Sequence, residues 1–254
     1  MRLVLGQIDI AWEDAAANVR RVGDALRTLR PTAGSWVILP EMWATGFSMD
    51  VAATCGDAAL IATAAQRAWA MELGVRVLGG IASVVHGRPM NRLVGHDAEG
   101  REWLSFAKLH AFSPANEPAI YRAGSDVVVA EADDCRVAPF ICYDLRFPEV
   151  FREATARGAD LLLVVANWPA RRDRHWRALL VARAIENQAW VVGVNRVGSD
   201  PNATYAGRSL VVDPTGVVRA DLGEGERWLQ LDVDMGEAAR WRAEFPALRD
   251  RRTR

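Results

Sequence analysis

Three side chains of complementary chemistry stand at the ends of apolar runs: Glu41 after Trp36-Val37-Ile38-Leu39-Pro40, Lys108 after the run Glu102–Ala107, and Cys142 after Val137, Phe140 and Ile141. A carboxylate can take and return protons, an ammonium can lower the pKa of a neighbouring thiol and hold an oxyanion, and a thiolate is a nucleophile. Ligands bind where strands end, so these are positions at which such groups act. Taken singly each has an ordinary explanation, because strand-end Glu and Lys are commonly solvated and a Cys closing an apolar strand is commonly a small core residue. The set carries the weight: if the three strands are neighbours in one sheet, acid, cation and thiol converge in one pocket. After Cys142, Pro148 suits a first helical position, Glu149 and Glu153 follow it, and Gly158 supplies a stop. Cys142 then lies near the positive end of a helix, which favours the thiolate.

The elements that must position these groups read as an α/β chain. A strand over 3–8 and a helix over 14–29, with Val19, Val22, Leu26 and Leu29 inward, make one unit. A helix over Asp57–Leu73, burying Leu60, Ala64, Ala68 and Met71, leads to a strand over 75–85. Runs at 92–96 and Glu102–Ala107 flank the turn Asp97-Ala98-Glu99-Gly100 and predict an antiparallel hairpin, so the sheet is mixed. Residues 111–124 have two prolines and no periodicity, and loops of that length are usually functional. Strands follow over 127–130, Cys135–Ile141, Leu161–Ala166, 189–194, 209–212, 217–220 and 228–233, with helices from Pro148, over 176–187 and over 235–244. No linker or repeat interrupts the chain, so 1–254 reads as a single domain with a solvated tail over about 247–254.

Composition narrows the function classes. Half of the 254 residues are hydrophobic, enough for a sizeable core, and 31 basic residues against 32 acidic ones argue against nucleic acid or an anionic membrane as partner. Cys55, Cys135 and Cys142 have neither metal spacing nor an even count for a closed disulfide set, which points to a reducing interior. With no signal-peptide pattern and no apolar run of spanning length, the cytoplasm is the expected location. His110 and His175 read as scaffold, Trp176 as core, Arg183 and Glu186 as an ion pair three residues apart on a helix, and Cys55 and Cys135 as inert. Arg171 and Arg172 follow Asn167-Trp168-Pro169 at a strand end, where at least one is expected near the pocket.

Leu39-Pro40-Glu41-Met42, Lys108-Leu109-His110-Ala111-Phe112 and Ile141-Cys142-Tyr143-Asp144-Leu145-Arg146-Phe147-Pro148-Glu149, in that order, resemble the three motifs of the nitrilase or carbon–nitrogen hydrolase superfamily. Ala111 stands where leucine is usual. The segments Thr45-Gly46-Phe47-Ser48-Met49, Asn167-Trp168-Pro169, 182–188 and Asn195-Arg196-Val197-Gly198 resemble the omega-amidase branch, which hydrolyses side-chain amides of 2-oxo acids. The resemblance implies a four-layer α-β-β-α sandwich with mixed sheets, a homodimer or higher homo-oligomer, and no metal or cofactor. It implies Cys142 as nucleophile, Glu41 as general base and acid, Lys108 with the Tyr143 N–H as oxyanion donors, and Glu117 as a fourth carboxylate orienting the lysine. Another superfamily amidase, an N-carbamoyl hydrolase, an acyltransferase that passes the acyl group to an amine, and a non-catalytic interaction module are the alternatives. A 2-oxo acid amide carries a carboxylate away from the scissile bond, and a buried carboxylate needs a cation. Arg146 and Arg172 are the candidates, Arg146 otherwise pairing with Glu149 or another acid, while Trp43, Phe47, Tyr143 and Trp168 would wall the aliphatic stem.

Overall fold

The computed structural model describes residues 1–252. In chain order the elements are β1 Arg2–Gln7, α1 Ala15–Leu29, β2 Trp36–Ile38, α2 Val51–Cys55, α3 Asp57–Leu73, β3 Arg76–Val85, β4 Arg88–His96, β5 Glu102–Ala107, α4 Glu117–Ile120, β6 Ala130–Ala132, β7 Cys135–Ile141, α5 Pro148–Ala156, β8 Leu161–Ala166, α6 Asp173–Asn187, β9 Trp190–Asn195, β10 Val197–Ser199, β11 Thr204–Ala206, β12 Leu210–Val212, β13 Val218–Asp221, β14 Arg227–Asp232 and α7 Gly236–Glu244. Two six-stranded sheets form, ordered β14-β1-β2-β3-β4-β5 and β13-β12-β9-β8-β7-β6. Each is mixed: β1-β2-β3 and β7-β8-β9 are parallel, and the flanking strands run antiparallel.

Side-chain alternation explains the layering. Leu3, Leu5, Trp36 and Ile38 point into a core shared with Val137, Phe140 and the β8–β9 residues of the other sheet. Val4, Val37 and Leu39, one position along, point outward to α1 and α3. Phe151 of α5 and Leu180 and Ala184 of α6 cover the second sheet. The result is the expected α-β-β-α sandwich. Asp14 caps α1 through its side chain at 2.9 Å, and the left-handed Arg30 ends it.

The face of α3 differs from the sequence expectation. The helix buries Ala59, Ala62, Gln66, Trp69 and Ala70, leaving Leu60 70% and Met71 53% exposed, with Ala64 and Ala68 on the same outer face. Two apolar stripes run along α3, and Trp69 decides between them by seating its ring 5.4 Å from Trp43. The strand expected over 127–130 is a short pairing over Ala130–Ala132, and the β10–β11 hairpin was not anticipated. In the solvated C-terminal tail, Ala247–Asp250 forms a 3-10 turn; residues 253 and 254 of that tail lie outside the described residues.

Candidate active site

Glu41, Lys108 and Cys142 do converge, across the sandwich and not along one sheet. β2 and β5 belong to the first sheet, separated by β3 and β4, while β7 lies in the second. Glu41 leaves β2 where the pairing with β3 continues through Leu39 N–H to Leu78 O (2.8 Å) and Gly80 N–H to Pro40 O (3.0 Å). The approach is so close that a Cβ at Gly80 would lie 2.5 Å from Glu41 Cα. Gly80→Ala must therefore displace Glu41; we expect about 1–3 kcal/mol of destabilisation from overpacking, with a fall in kcat of about tenfold that exceeds any change in KM. Thermal unfolding and steady-state kinetics on the same preparation check this.

Lys108 extends the β4–β5 ladder through its N–H to Asn91 O at 2.9 Å. Its Nζ donates to Glu41 Oε1 at 2.9 Å and to both oxygens of Glu117, at 3.1 and 2.9 Å. Glu117, the first residue of α4, comes from the loop whose length marked it as functional. Both carboxylates are fully buried and Lys108 nearly so. Burial alone would lower the pKa of the Lys108 ammonium, but Glu41 and Glu117 more than offset it and hold it above the ordinary lysine value.

Cys142 has φ +45°, a left-handed conformation that a non-glycine residue adopts at some energetic cost and that is found at nucleophile turns. The turn is held from both sides. Asp144 accepts from Ile141 N–H at 3.0 Å and, with its other oxygen, from His110 N–H at 2.8 Å, and that same oxygen lies 2.9 Å from His110 Nδ1, which ties the Lys108 loop to the Cys142 loop. Arg183 donates to Leu145 O at 2.8 Å and, as expected, pairs with Glu186 at 2.9 Å. Cys142 does not sit at the start of α5: a 3-10 turn over Cys142–Arg146 intervenes. Nor is its thiolate favoured at rest. Burial and the charge of Glu41 push the thiol well above its ordinary pKa, Glu117 adds to this, and Lys108 opposes it without prevailing. The thiol donates to the Asn167 carbonyl at 3.8 Å. Burial likewise raises the pKa of Cys55 and pushes Cys135 up to about 12, consistent with inert thiols.

Cys142 and Lys108 open onto a cavity of about 410 Å³. Phe47, Tyr143, Arg146, Trp168 and Arg172 line it, as expected, together with Phe112, Arg171, Asn167 and the β10–β11 residues Asp200 and Tyr205. Trp43 does not: it is fully buried beneath the first sheet against Trp69, because it follows Glu41 on the backbone facing α3. Arg146 lies 4.9 Å over the Trp168 ring and 3.1 Å from His175 Nδ1. Arg172 lies 5.2 Å over Phe112, its pKa lowered first by burial and then by Arg171 and Arg146. Among the described residues Arg146, Arg171 and Arg172 form no ion pair, so the pairing of Arg146 with Glu149 is absent. Tyr205 donates to Asp200 at 2.6 Å, and the buried Arg196 stacks 4.5 Å over its ring.

Two buried asparagines hold the carboxylates: Asn167, which the sequence marked only as part of a strand-end segment, and Asn91, which it did not mark at all. Asn167 donates from its backbone to Glu41 Oε2 at 2.8 Å and from its side chain to Glu41 O at 2.6 Å; Asn91 donates to Glu41 and Glu117. No group of three or more His, Cys, Asp or Glu among the described residues is placed to hold a metal ion, and no helix among them is long and apolar enough to cross a membrane.

The sequence model of the carbon-nitrogen hydrolase family matches residues 2–243. The chain belongs to that family. It is 37% identical to the omega-amidase YafV of Escherichia coli, over 98% of this chain and 96% of that protein, and 33% identical to the 2-oxoglutaramate amidase of Bacillus subtilis, over 96% and 95%. A CN-hydrolase superfamily protein from Xanthomonas campestris, solved with an arsenic adduct in its active site, superposes with a TM-score of 0.90 at 34% identity, covering 100% of this chain and 98% of that one.

Proposed function

We propose that this carbon–nitrogen hydrolase cleaves the terminal carboxamide of a small 2-oxo acid, of the 2-oxoglutaramate or 2-oxosuccinamate type, to the acid and ammonia. The observation that carries the reading is a cavity lined both by Cys142 and Lys108, the latter backed by buried Glu41 and Glu117, and by Arg146 and Arg172, which have no acid partners. In the first half-reaction Cys142 gives its proton to Glu41 as sulfur bonds to the amide carbon. Lys108 and the Tyr143 N–H receive the developing oxyanion, which fixed donors stabilise without reorganising. The C–N bond breaks as Glu41 returns the proton to nitrogen, releasing ammonia and leaving a thioester on Cys142. Glu41 then takes a proton from water, the water oxygen attacks the thioester, and the C–S bond breaks as Glu41 returns that proton to the Cys142 sulfur, giving the acid and the resting thiol. Glu117 acts through Lys108, holding its ammonium on the oxyanion side. A homodimer and a cytoplasmic location belong to the same proposal, and sedimentation analysis tests the first.

Kinetics on two amides test the substrate class. Arg172→Met should raise KM for 2-oxoglutaramate by at least about tenfold, the scale of a lost charged hydrogen bond, and leave a neutral short-chain amide within about twofold. Arg146→Met should act in the same direction but less, because Arg146 already donates toward His175. Equal losses on charged and neutral amides would make both arginines scaffold and remove the basis for a 2-oxo acid substrate.

A further inference from the structure

Glu41 and Glu117 are fully buried and share one ammonium, that of Lys108. Like charges brought together in a buried site favour retention of a proton by one of them. A Glu41 that already holds a proton cannot take one from Cys142. A second donor bridges the same two carboxylates. Asn91, 1% exposed on β4, donates from Nδ2 to Glu41 Oε1 at 2.7 Å and to Glu117 Oε1 at 3.1 Å. The amide nitrogen has two hydrogens, so each carboxylate receives one. The opposite orientation would set the amide oxygen against two anionic oxygens, so electrostatics choose this one. The Asn91 carbonyl also accepts the Lys108 N–H, and the residue touches three members of the set. Its Oδ1 is buried with no partner, so no wider structural network accounts for an asparagine here.

We propose that Asn91 is a positioning residue for the hydrolysis: its amide donates to both Glu41 and Glu117 and holds them against Lys108, so that Glu41 can accept the Cys142 proton. This rests on the reading of Glu41 as the general base. The titratable groups facing the two carboxylates are Lys108 from the end of β5, Cys142 from the end of β7, and Tyr121 after α4. Without the amide, Lys108 and the backbone N–H groups of Asn167 and Phe112 remain, and each carboxylate loses one donor to its charged form.

The test is the pH dependence of kcat and KM for the wild type, Asn91→Leu, Asn91→Ser and Glu41→Gln, with thermal unfolding of each. Asn91→Leu keeps the size and loses the donor; it should lose about 10- to 100-fold in kcat at neutral pH with KM within about twofold. Its acid limb should lie about one pH unit higher, so that the deficit shrinks as pH rises. Asn91→Ser, which retains one hydroxyl donor, should show a smaller displacement in the same direction. An acid limb at the wild-type pH in the folded variants, or a deficit of equal size at every pH, overturns the proposal. If Asn91→Leu does not fold, Asn91→Ser decides by the same criterion. Full activity of Glu41→Gln would instead remove the general-base reading on which the proposal stands.

Discussion

Replacing Cys142 by alanine abolishes amide turnover and leaves the fold intact, because the change removes the nucleophile and little volume from a residue already part-exposed at the cavity floor. The thermal midpoint should stay within a few degrees of the wild type, since the Cys142 turn is held by Asp144 and Arg183, not by the sulfur. Cys55→Ala and Cys135→Ala should remain active, as neither thiol touches the Glu41–Lys108–Glu117 set. Iodoacetamide provides the check. Inactivation should track labelling of Cys142 alone, and inactivation that follows labelling of Cys135 would move the nucleophile elsewhere.

Glu41→Gln and Lys108→Met should each cost at least about 100-fold in kcat, the scale of losing a general base or an oxyanion donor. The double variant should be little worse than the worse single one, because residues serving one tetrahedral intermediate fail together. The geometry gives a further reason: removing Lys108 leaves two buried carboxylates without their shared cation, and removing the Glu41 charge leaves Lys108 held by Glu117 alone, so each single change already disorganises the other. Multiplying penalties in single-turnover kinetics would mean that the two groups act in separate steps or sites.

Strand ends were the most legible feature of this chain. Apolar runs stop sharply at Pro40, Ala107 and Ile141, and a polar residue directly after each run could be assigned to a sheet edge before any partner strand was known. Which sheet each strand joins was not legible, because alternation reports the two faces of a strand and nothing about its neighbour; the convergence was argued on the condition that the three strands share one sheet, and β7 lies in the second. The buried face of α3 was misread for a related reason: Leu60 and Met71 form as good a stripe as Ala62 and Trp69, and only the Trp69–Trp43 contact chooses. Trp43 itself shares a loop with Phe47, yet one turn of backbone sends one ring under the sheet and the other to 4.9 Å from Lys108 Nζ. The resting thiol of Cys142 depends on burial and on two carboxylates distant in sequence, which no local pattern encodes. Asn91 had no signal because asparagine inside a mixed strand looks like any other polar residue until its partners are placed, and Asn167 was marked as a strand end without its bonds to Glu41 being legible.

The central claim is that Cys142 carries the acyl group between amide and water. Rapid mixing with 2-oxoglutaramate, acid quench and intact-mass spectrometry with peptide mapping tests it most directly. The account predicts an adduct of the substrate mass less ammonia, confined to the Cys142 peptide, absent in Cys142→Ala, and discharged at the rate of acid formation. Turnover at the wild-type rate with no adduct on Cys142, or an adduct on Cys55 or Cys135 that decays at the turnover rate, would contradict it.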